Sequence, residues 1–321
     1  MIVMQWFRWL AVAWVLVFAG RLWATEIDSP AILLNNAQSA PLVAVARTGQ
    51  RWVAVGDHGV IVHSGDGRVW TQSKSVPVDG LLTALSFADD RQGWAVGHNG
   101  VVLHSDDGGQ TWVLQKRLDD QPTLLSVWFE NARHGMVVGA YGYAAQTLDG
   151  GATWQAMQVG EEGEDHHLNA LFAGRDGTLV IAAESGKAYR SSDHGATWQS
   201  LDTGVSGSLW GGTGLRDGRL LLVGMSGRVL MGDSSGRHWQ RLDSGSHEAI
   251  TAVTQLNDGR VAWVGNGGLV GRSDTAVEHF SVEQREDRLN LSALAANTSG
   301  DLLLFGPTGV IVPDAVPGAE K

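Results

Sequence analysis

The sequence predicts an all-β fold, a seven-bladed β-propeller of four-stranded blades, and three observations carry that reading. A glycine-framed apolar segment recurs seven times along the 321 residues. A Trp or Phe follows six of the copies at intervals of 41 to 44 residues. No segment after residue 25 shows the 3.6-residue periodicity of an amphipathic helix.

The chain opens with features of an export signal. Arg8 ends a short n-region, an uncharged apolar run extends over Trp9–Gly20, and Ala24 offers a small residue before Thr25. Such a run fits the apolar core of a signal peptide and is short for a bilayer span. Residues 1–24 are therefore expected to be a signal peptide, with an uncleaved anchor as the alternative. Residues 25–321 are expected to be one propeller domain, exported to the periplasm as a soluble or membrane-associated protein.

The repeat is clearest in Gly93-Trp94-Ala95-Val96-Gly97-His98-Asn99-Gly100 and Gly135-Met136-Val137-Val138-Gly139-Ala140-Tyr141-Gly142. It returns at Trp52–Gly59 and, with more drift, at Leu179–Gly186, Leu220–Gly227, Val261–Gly268 and Leu302–Gly309. The aromatic landmarks are Trp70, Trp112, Trp154, Trp198, Trp239 and Phe280. Within one unit the apolar runs are short, rich in Val, Leu and Trp, and punctuated by Gly and Asp, which reads as four strands. In the third unit these are Leu124–Phe129, Met136–Val138, Tyr143–Thr147 and Trp154–Met157. Four strands per unit and seven units make a propeller rather than a solenoid. The last unit runs into Pro313 and Pro317 without a fourth strand, and the apolar run Pro30–Leu34 is expected to supply it and close the ring.

The third strand of a unit hands over to the fourth through Ser105-x-Asp107-x-Gly109-x-Thr111-Trp112. The pattern repeats as Thr147-x-Asp149-x-Gly151-x-Thr153-Trp154 and Ser191-x-Asp193-x-Gly195-x-Thr197-Trp198. This is the Asp-box of bacterial neuraminidase repeats. Its Asp and Ser/Thr side chains are turn formers that bond nearby backbone, and its Trp buries a large surface between blades. Asp107, Asp149 and Asp193 are thus assigned structural roles, with Trp112, Trp154 and Trp198. Ser64–Trp70 is one residue short, and Gly232–Trp239 and Ser273–Phe280 are degraded.

Taken together, Gly-Trp-Ala-Val-Gly-x-x-Gly and Ser/Thr-x-Asp-x-Gly-x-Thr-Trp resemble the photosystem II stability/assembly-factor family, from about residue 30 to 312. The resemblance implies an exported seven-bladed propeller that acts as an assembly chaperone without enzymatic activity. Its expected partner is a membrane-protein complex or another envelope protein, so membrane contact is indirect. The family name does not imply a photosynthetic role here, since bacteria without photosystems carry such proteins. The chain departs from the family pattern in units five to seven, where the Asp-boxes decay.

A recognition surface is expected where the second and third strands of each unit meet. The positions inside Gly-x-x-Gly are Asp57 and His58, His98 and Asn99, Ala140 and Tyr141, Glu184 and Ser185, Met225 and Ser226, Asn266 and Gly267, and Pro307 and Thr308. They vary while the glycine frame around them barely does, which suits a binding site on a rigid scaffold. On the same face, Lys116, Arg117, Arg241, Arg285 and Arg288 form a candidate basic rim.

Composition narrows the function classes. Acids outnumber bases 34 to 23, for a net charge of −11, which argues against nucleic acid as partner. With no cysteine, disulfides, thiolate catalysis and iron–sulfur clusters are excluded. His58, His98 and Asp57, or the run Glu161, Glu162, Glu164, Asp165, His166 and His167, contain competent metal ligands. Their spacing matches no metal motif, so no metal and no cofactor are assigned. An Asp-box glycosidase of sialidase type is the enzymatic alternative, with Tyr141 as nucleophile and Glu184 as its partner. The seven inner turns carry no arginine to hold a sugar carboxylate, so no catalytic residue is assigned. A closed propeller is complete as a monomer, and that is the expected state.

Overall fold

The computed structural model describes residues 29–297 and 300–311. The expected signal peptide lies outside them. Among the described residues, no helix is long and apolar enough to cross a membrane.

Seven antiparallel sheets follow one another along the chain as the blades of a propeller. The first blade comprises Leu42–Thr48, Arg51–Gly56, Ile61–Ser64 and Thr71–Gln72, paired in that order. First strands of successive blades pack on one another, so they form the inner ring. In blades two to seven they are Leu82–Phe87, Leu124–Phe129, Leu168–Ala173, Leu209–Gly214, Ile250–Gln255 and Ala293–Ala296.

Second strands such as Gly93–Gly97, Gly135–Gly139 and Leu220–Gly224 are buried at every residue. That explains their near-continuous apolar sequences, since both of their faces meet a neighbouring blade. The core is accordingly divided among the blade interfaces. Val180, Leu222 and Leu230 meet between blades four and five, for example, and Trp52, Ala54, Leu303 and Phe305 between blades one and seven. Aromatic rings cross these interfaces. Trp94 stacks on Phe129 at 3.5 Å between centroids, and Trp70 meets Phe305 edge-on at 5.5 Å.

A β-bulge recurs where the first strand pairs with the second. Register shifts between Leu82 and Ala84, between Leu168 and Ala170, and between Ile250 and Ala252. A bulge re-aims the extra residue's side chain. Here Thr83 Oγ1 donates to the Leu124 carbonyl at 2.6 Å, Asn169 Nδ2 to Leu209 at 2.8 Å, and Thr251 Oγ1 to Leu291 at 2.6 Å. Ser292 Oγ makes the same bond to Leu42 at 2.6 Å and so joins the last blade to the first.

Closure differs from the sequence expectation in one respect. The seventh sheet has three strands, Ala293–Ala296, Leu302–Gly306 and Gly309–Ile311, among the described residues. Pro30–Leu34 does not pair with them as a strand. It runs along the outer strand of the first blade, where the Ala31 N–H donates to the Val76 carbonyl. The Gln72 amide holds both the Ile32 carbonyl and the Leu34 N–H. The glutamine side chain thus satisfies backbone that a ladder would otherwise have to pair. The short helical turn Ala37–Ser39 then packs against Gly309–Ile311.

The loops between third and fourth strands share one bonding scheme. Ser105 Oγ donates to Asp107 Oδ1 at 2.9 Å and accepts the Gly109 N–H at 2.9 Å. Asp107 in turn accepts the Thr111 N–H and hydroxyl at 3.0 and 2.7 Å. Asp149 and Asp193 repeat these contacts with Thr153 and Thr197. Asp66 keeps the scheme in the loop that is one residue short, and Asp233 and Asp274 still cap backbone in the two degraded loops. Trp70, Trp112, Trp154 and Trp239 each donate their indole N–H to the loop glycine carbonyl. Trp198 has no acceptor.

Two predictions follow from this framework. The Thr153 hydroxyl, the Thr153 N–H and the Thr147 hydroxyl lower the Asp149 carboxyl from the ordinary 3.8 to about 2. A carboxyl depressed on folding stabilises above its unfolded pKa, and that contribution is lost as pH falls through the folded value. The stability gap between wild type and Asp149→Asn should therefore shrink between pH 4 and pH 2 in urea unfolding. An equal gap at both pH values would remove the carboxylate from the account. At Gly227 (φ +66°), an added Cβ would sit 1.9 Å from the Ser246 carbonyl oxygen. Gly227→Ala should cost about 2–4 kcal/mol from overpacking and left-handed strain together, lowering the denaturation midpoint. An unchanged midpoint would show that the blade connection yields.

Candidate functional site

Each turn between second and third strands is clamped by backbone. The N–H groups of Asp57, His98, Ala140, Glu184, Met225 and Asn266 donate to carbonyls just ahead of their own blade's first strand. The closing glycine N–H donates to the connection leading into the next blade at Gly59, Gly100 and Gly142. Each of these turns is thus wedged between two blade entries on one face of the ring.

The turn centre lies one residue later than the glycine frame suggests. In the first blade the Val60 N–H bonds the Asp57 carbonyl, and the central pair is His58 (φ 53°) and Gly59 (φ 66°). Positive φ at both central positions is the type I′ hairpin geometry, which suits Asn-Gly and Gly-Gly. Asn99-Gly100 and Gly267-Gly268 obey that preference. Tyr141, Ser185 and Ser226 take the same left-handed conformation at φ 54°, 58° and 56°. The seventh turn, Pro307-Thr308, stands outside this set and leads directly into Gly309.

Left-handed backbone turns its side chain outward over a buried glycine. His58, Asn99, Tyr141, Ser185 and Ser226 are exposed, as are His98, Met225 and Thr308, whereas Asp57, Glu184 and Asn266 are half-buried. Tyr141 is 77% exposed. A bulky residue with positive φ is uncommon and marks a constraint other than turn formation.

The turn ring holds one three-residue cluster. The Tyr141 N–H donates to His167 Nδ1 at 3.1 Å, and the two rings meet edge-on at 4.8 Å. The His167 N–H approaches Glu184 Oε2 at 3.4 Å, with Nδ1 3.8 Å from the same oxygen. An Nδ1 that accepts from backbone places the ring proton on Nε2. Glu184 therefore reaches His167 rather than the Tyr141 hydroxyl, and the nucleophile–carboxylate contact required by the glycosidase alternative is not formed. Sequence reading had set His167 aside in an acidic run. The usable signal was positional, because a blade connection must lie against the turns on its face.

Glu164 of that run is also engaged. Glu164 accepts from Tyr189 Oη at 2.8 Å and pairs with Lys187 at 3.1 Å. Burial pushes the Glu164 carboxyl up, and these hydrogen bonds outweigh it and leave it below its ordinary value. Burial and the bond to Glu164 push the Tyr189 hydroxyl up. Beside Ser185, a cavity of about 450 Å³ opens between Lys187 and Asp202.

Other expected residues stay apart. His58 turns its imidazole onto Asp57 at 3.1 Å, within its own turn. Among the described residues, no three His, Asp or Glu side chains converge as metal ligands. Of the basic rim, Arg117 donates to the Asn99 carbonyl at 2.6 Å and so belongs to the ring. Arg285 is paired with Asp287 at 2.7 Å. Arg228, which the sequence did not single out, donates to the Met225 carbonyl at 3.0 Å.

A family model described as photosynthesis system II assembly factor YCF48 matches residues 62–315. No curated protein sequence matches the chain. Among solved structures, "YCF48 bound to D1 peptide" superimposes with a TM-score of 0.67 at 19% identity, over 85% of this chain and 92% of that one. YCF48 from Cyanidioschyzon merolae gives 0.65 at 17% identity, over 88% and 96%. A virginiamycin B lyase from Staphylococcus aureus gives 0.73 at 11% identity, over 87% and 96%. Structural likeness at these identities speaks to the fold alone.

The backbone of Tyr141 yields a stability test. Tyr141→Asn places at this turn the residue that the second blade has at Asn99, and should stabilise the protein by about 0.5–1 kcal/mol. Guanidinium unfolding measures this. A loss of stability instead would show that ring packing on His167 exceeds the backbone strain.

Proposed function

The chain belongs to the photosynthesis system II assembly factor YCF48 family, and on that premise we propose that it is a non-enzymatic, exported binding scaffold. It docks a membrane-protein complex, or another envelope protein, through the ring of type I′ turns on one face of the propeller. It acts from the periplasm as a monomer, without cofactor, and its contact with the membrane is through its partner.

One observation carries this reading. Five exposed side chains of four chemical kinds, His58, Asn99, Tyr141, Ser185 and Ser226, occupy equivalent left-handed positions on a backbone frame clamped by its own hydrogen bonds. A rigid frame lowers the entropy lost on binding, and varied tips on a fixed frame supply specificity. Tyr141 suits the centre of such a surface, because an exposed aromatic fixed by backbone and by His167 is the kind of anchor that dominates interfaces. The peptide on one YCF48 structure supports a protein segment, rather than a glycan, as the ligand class.

The test is a crosslinked pull-down of the tagged protein from its native envelope. The control carries His58→Ala, His98→Ala, Tyr141→Ala and Glu184→Gln together. Wild type should retain a defined membrane complex, and the control about tenfold less, since truncating a few central anchors removes most interface energy. Equal retention would move docking to another surface. Turnover of a fluorogenic glycoside that is lost in Tyr141→Phe would replace the scaffold by the glycosidase.

A further inference from the structure

On the face opposite the turn ring, blades four and five enclose a cavity of about 370 Å³. Its wall includes Arg190, the third residue of the strand Ala188–Ser191. Arg190 is only 6% exposed. Its Nη1 donates to the amide oxygen of Gln199 at 3.1 Å, and Nε is buried with no acceptor. It forms no ion pair among the described residues.

This arrangement is costly for a buried charge. An arginine cannot shed its charge, and a buried charge needs a counter-charge or a full set of hydrogen bonds. The neutral Gln199 supplies neither. Most other blades fill the equivalent strand position differently, and in blade six, which also has an arginine there, Arg272 is only half-buried. The first and second hold His63 and His104 there, whose imidazoles are pushed down by burial towards the neutral form. The third holds Gln146, which is uncharged. Only the arginine of blade four keeps a fixed charge with this degree of burial.

Around Arg190 the cavity offers donors. The hydroxyls of Thr178, Ser192 and Ser234 line it and make no hydrogen bond of their own. Ser235 also lines it, but its hydroxyl is committed to Asp233 at 2.6 Å. One carboxylate is present: Asp176 accepts the Thr178 N–H through Oδ1 at 3.0 Å. His194 closes the rim, with Nδ1 held by Glu130 at 2.9 Å.

We propose that this cavity is a binding site for a tetrahedral oxyanion, with inorganic phosphate preferred, in which Arg190 is the charged anchor. Arg190 lines the cavity with a fixed positive charge, and a guanidinium is the kind of donor group that grips oxyanions. Three hydroxyls are more donors than a carboxylate's two oxygens require, and they suit a tetrahedral arrangement. The remaining oxygen of Asp176 accepts the proton of monohydrogen phosphate, and sulfate has no proton to give. The site lies on the face away from the turn ring, so it is independent of partner docking there.

Isothermal calorimetry on the full-length protein decides the matter, with inorganic phosphate and sulfate titrated separately at an ionic strength fixed by chloride. Wild type should bind phosphate saturably at one site and more tightly than sulfate. Arg190→Gln should weaken phosphate by about tenfold or more, as loss of a buried charge-assisted pair does. The double variant Ser192→Ala/Ser234→Ala keeps Arg190 in place and guards against misfolding. It should weaken phosphate by about three- to tenfold, the worth of neutral hydrogen bonds, with an unchanged melting temperature in chloride. Heats no larger than those of chloride, or undiminished affinity in both variants, would overturn the site. Equal affinity for sulfate would overturn the part given to Asp176.

Discussion

A single blade of this protein cannot stand by itself, because its second strand is apolar on both faces. Gly135–Gly139 is buried at every residue only because blades two and four supply its walls. The same dependence runs around the ring, so the fold holds together only when the last interface forms. That interface is built by Trp52, Trp70 and Phe305, and fastened by Ser292 to the Leu42 carbonyl. Closure covers the apolar sheet faces that the end blades of an open array would expose. The bulges in the inner strands serve the same end, since the side chains of Thr83, Asn169 and Thr251 reach the next blade, while Thr83 and Thr251 also bond their own.

The two faces then divide their work. On one face, Asp and Ser/Thr side chains bond the loops between third and fourth strands, and these loops spend their polar groups on themselves. Asp107, Asp149 and Asp193 are held below the ordinary carboxylate range by those bonds. On the other face each turn is clamped by backbone hydrogen bonds, and the side chains of Asn99, Ser185 and Ser226 make no hydrogen bond among the described residues. That asymmetry is why the turn ring, and not the conspicuous aspartates, is the better candidate for recognition. The cavity at Arg190 is the exception on the aspartate face, because there an interior charge and three hydroxyls remain unspent.

Much of this was readable from the sequence. The glycine frames and the aromatic landmarks determined seven repeats and a seven-bladed propeller, with four strands in each of the first six blades, because side-chain period and turn chemistry are local properties of the chain. The bonding of Asp107, Asp149 and Asp193 is equally local, since donor and acceptor lie within five residues. Asp233 and Asp274 cap their turns even though their motifs have decayed, because one carboxylate is enough for that bond.

Only the tertiary structure decided how distant segments meet. Pro30–Leu34 looked like a missing strand, yet the Gln72 side chain captures it beside the first blade. The turn tips fell one residue later than the glycine frame implied, because a clamped hairpin needs positive φ at two successive positions. His167 joined Tyr141 and Glu184 across the junction of two blades. Nothing in the sequence singles out Arg190, which the fold buries between blades four and five without a carboxylate partner among the described residues. Local chemistry is written in neighbouring residues, but burial and cross-blade contacts belong to the closed ring, and no short window of sequence contains them.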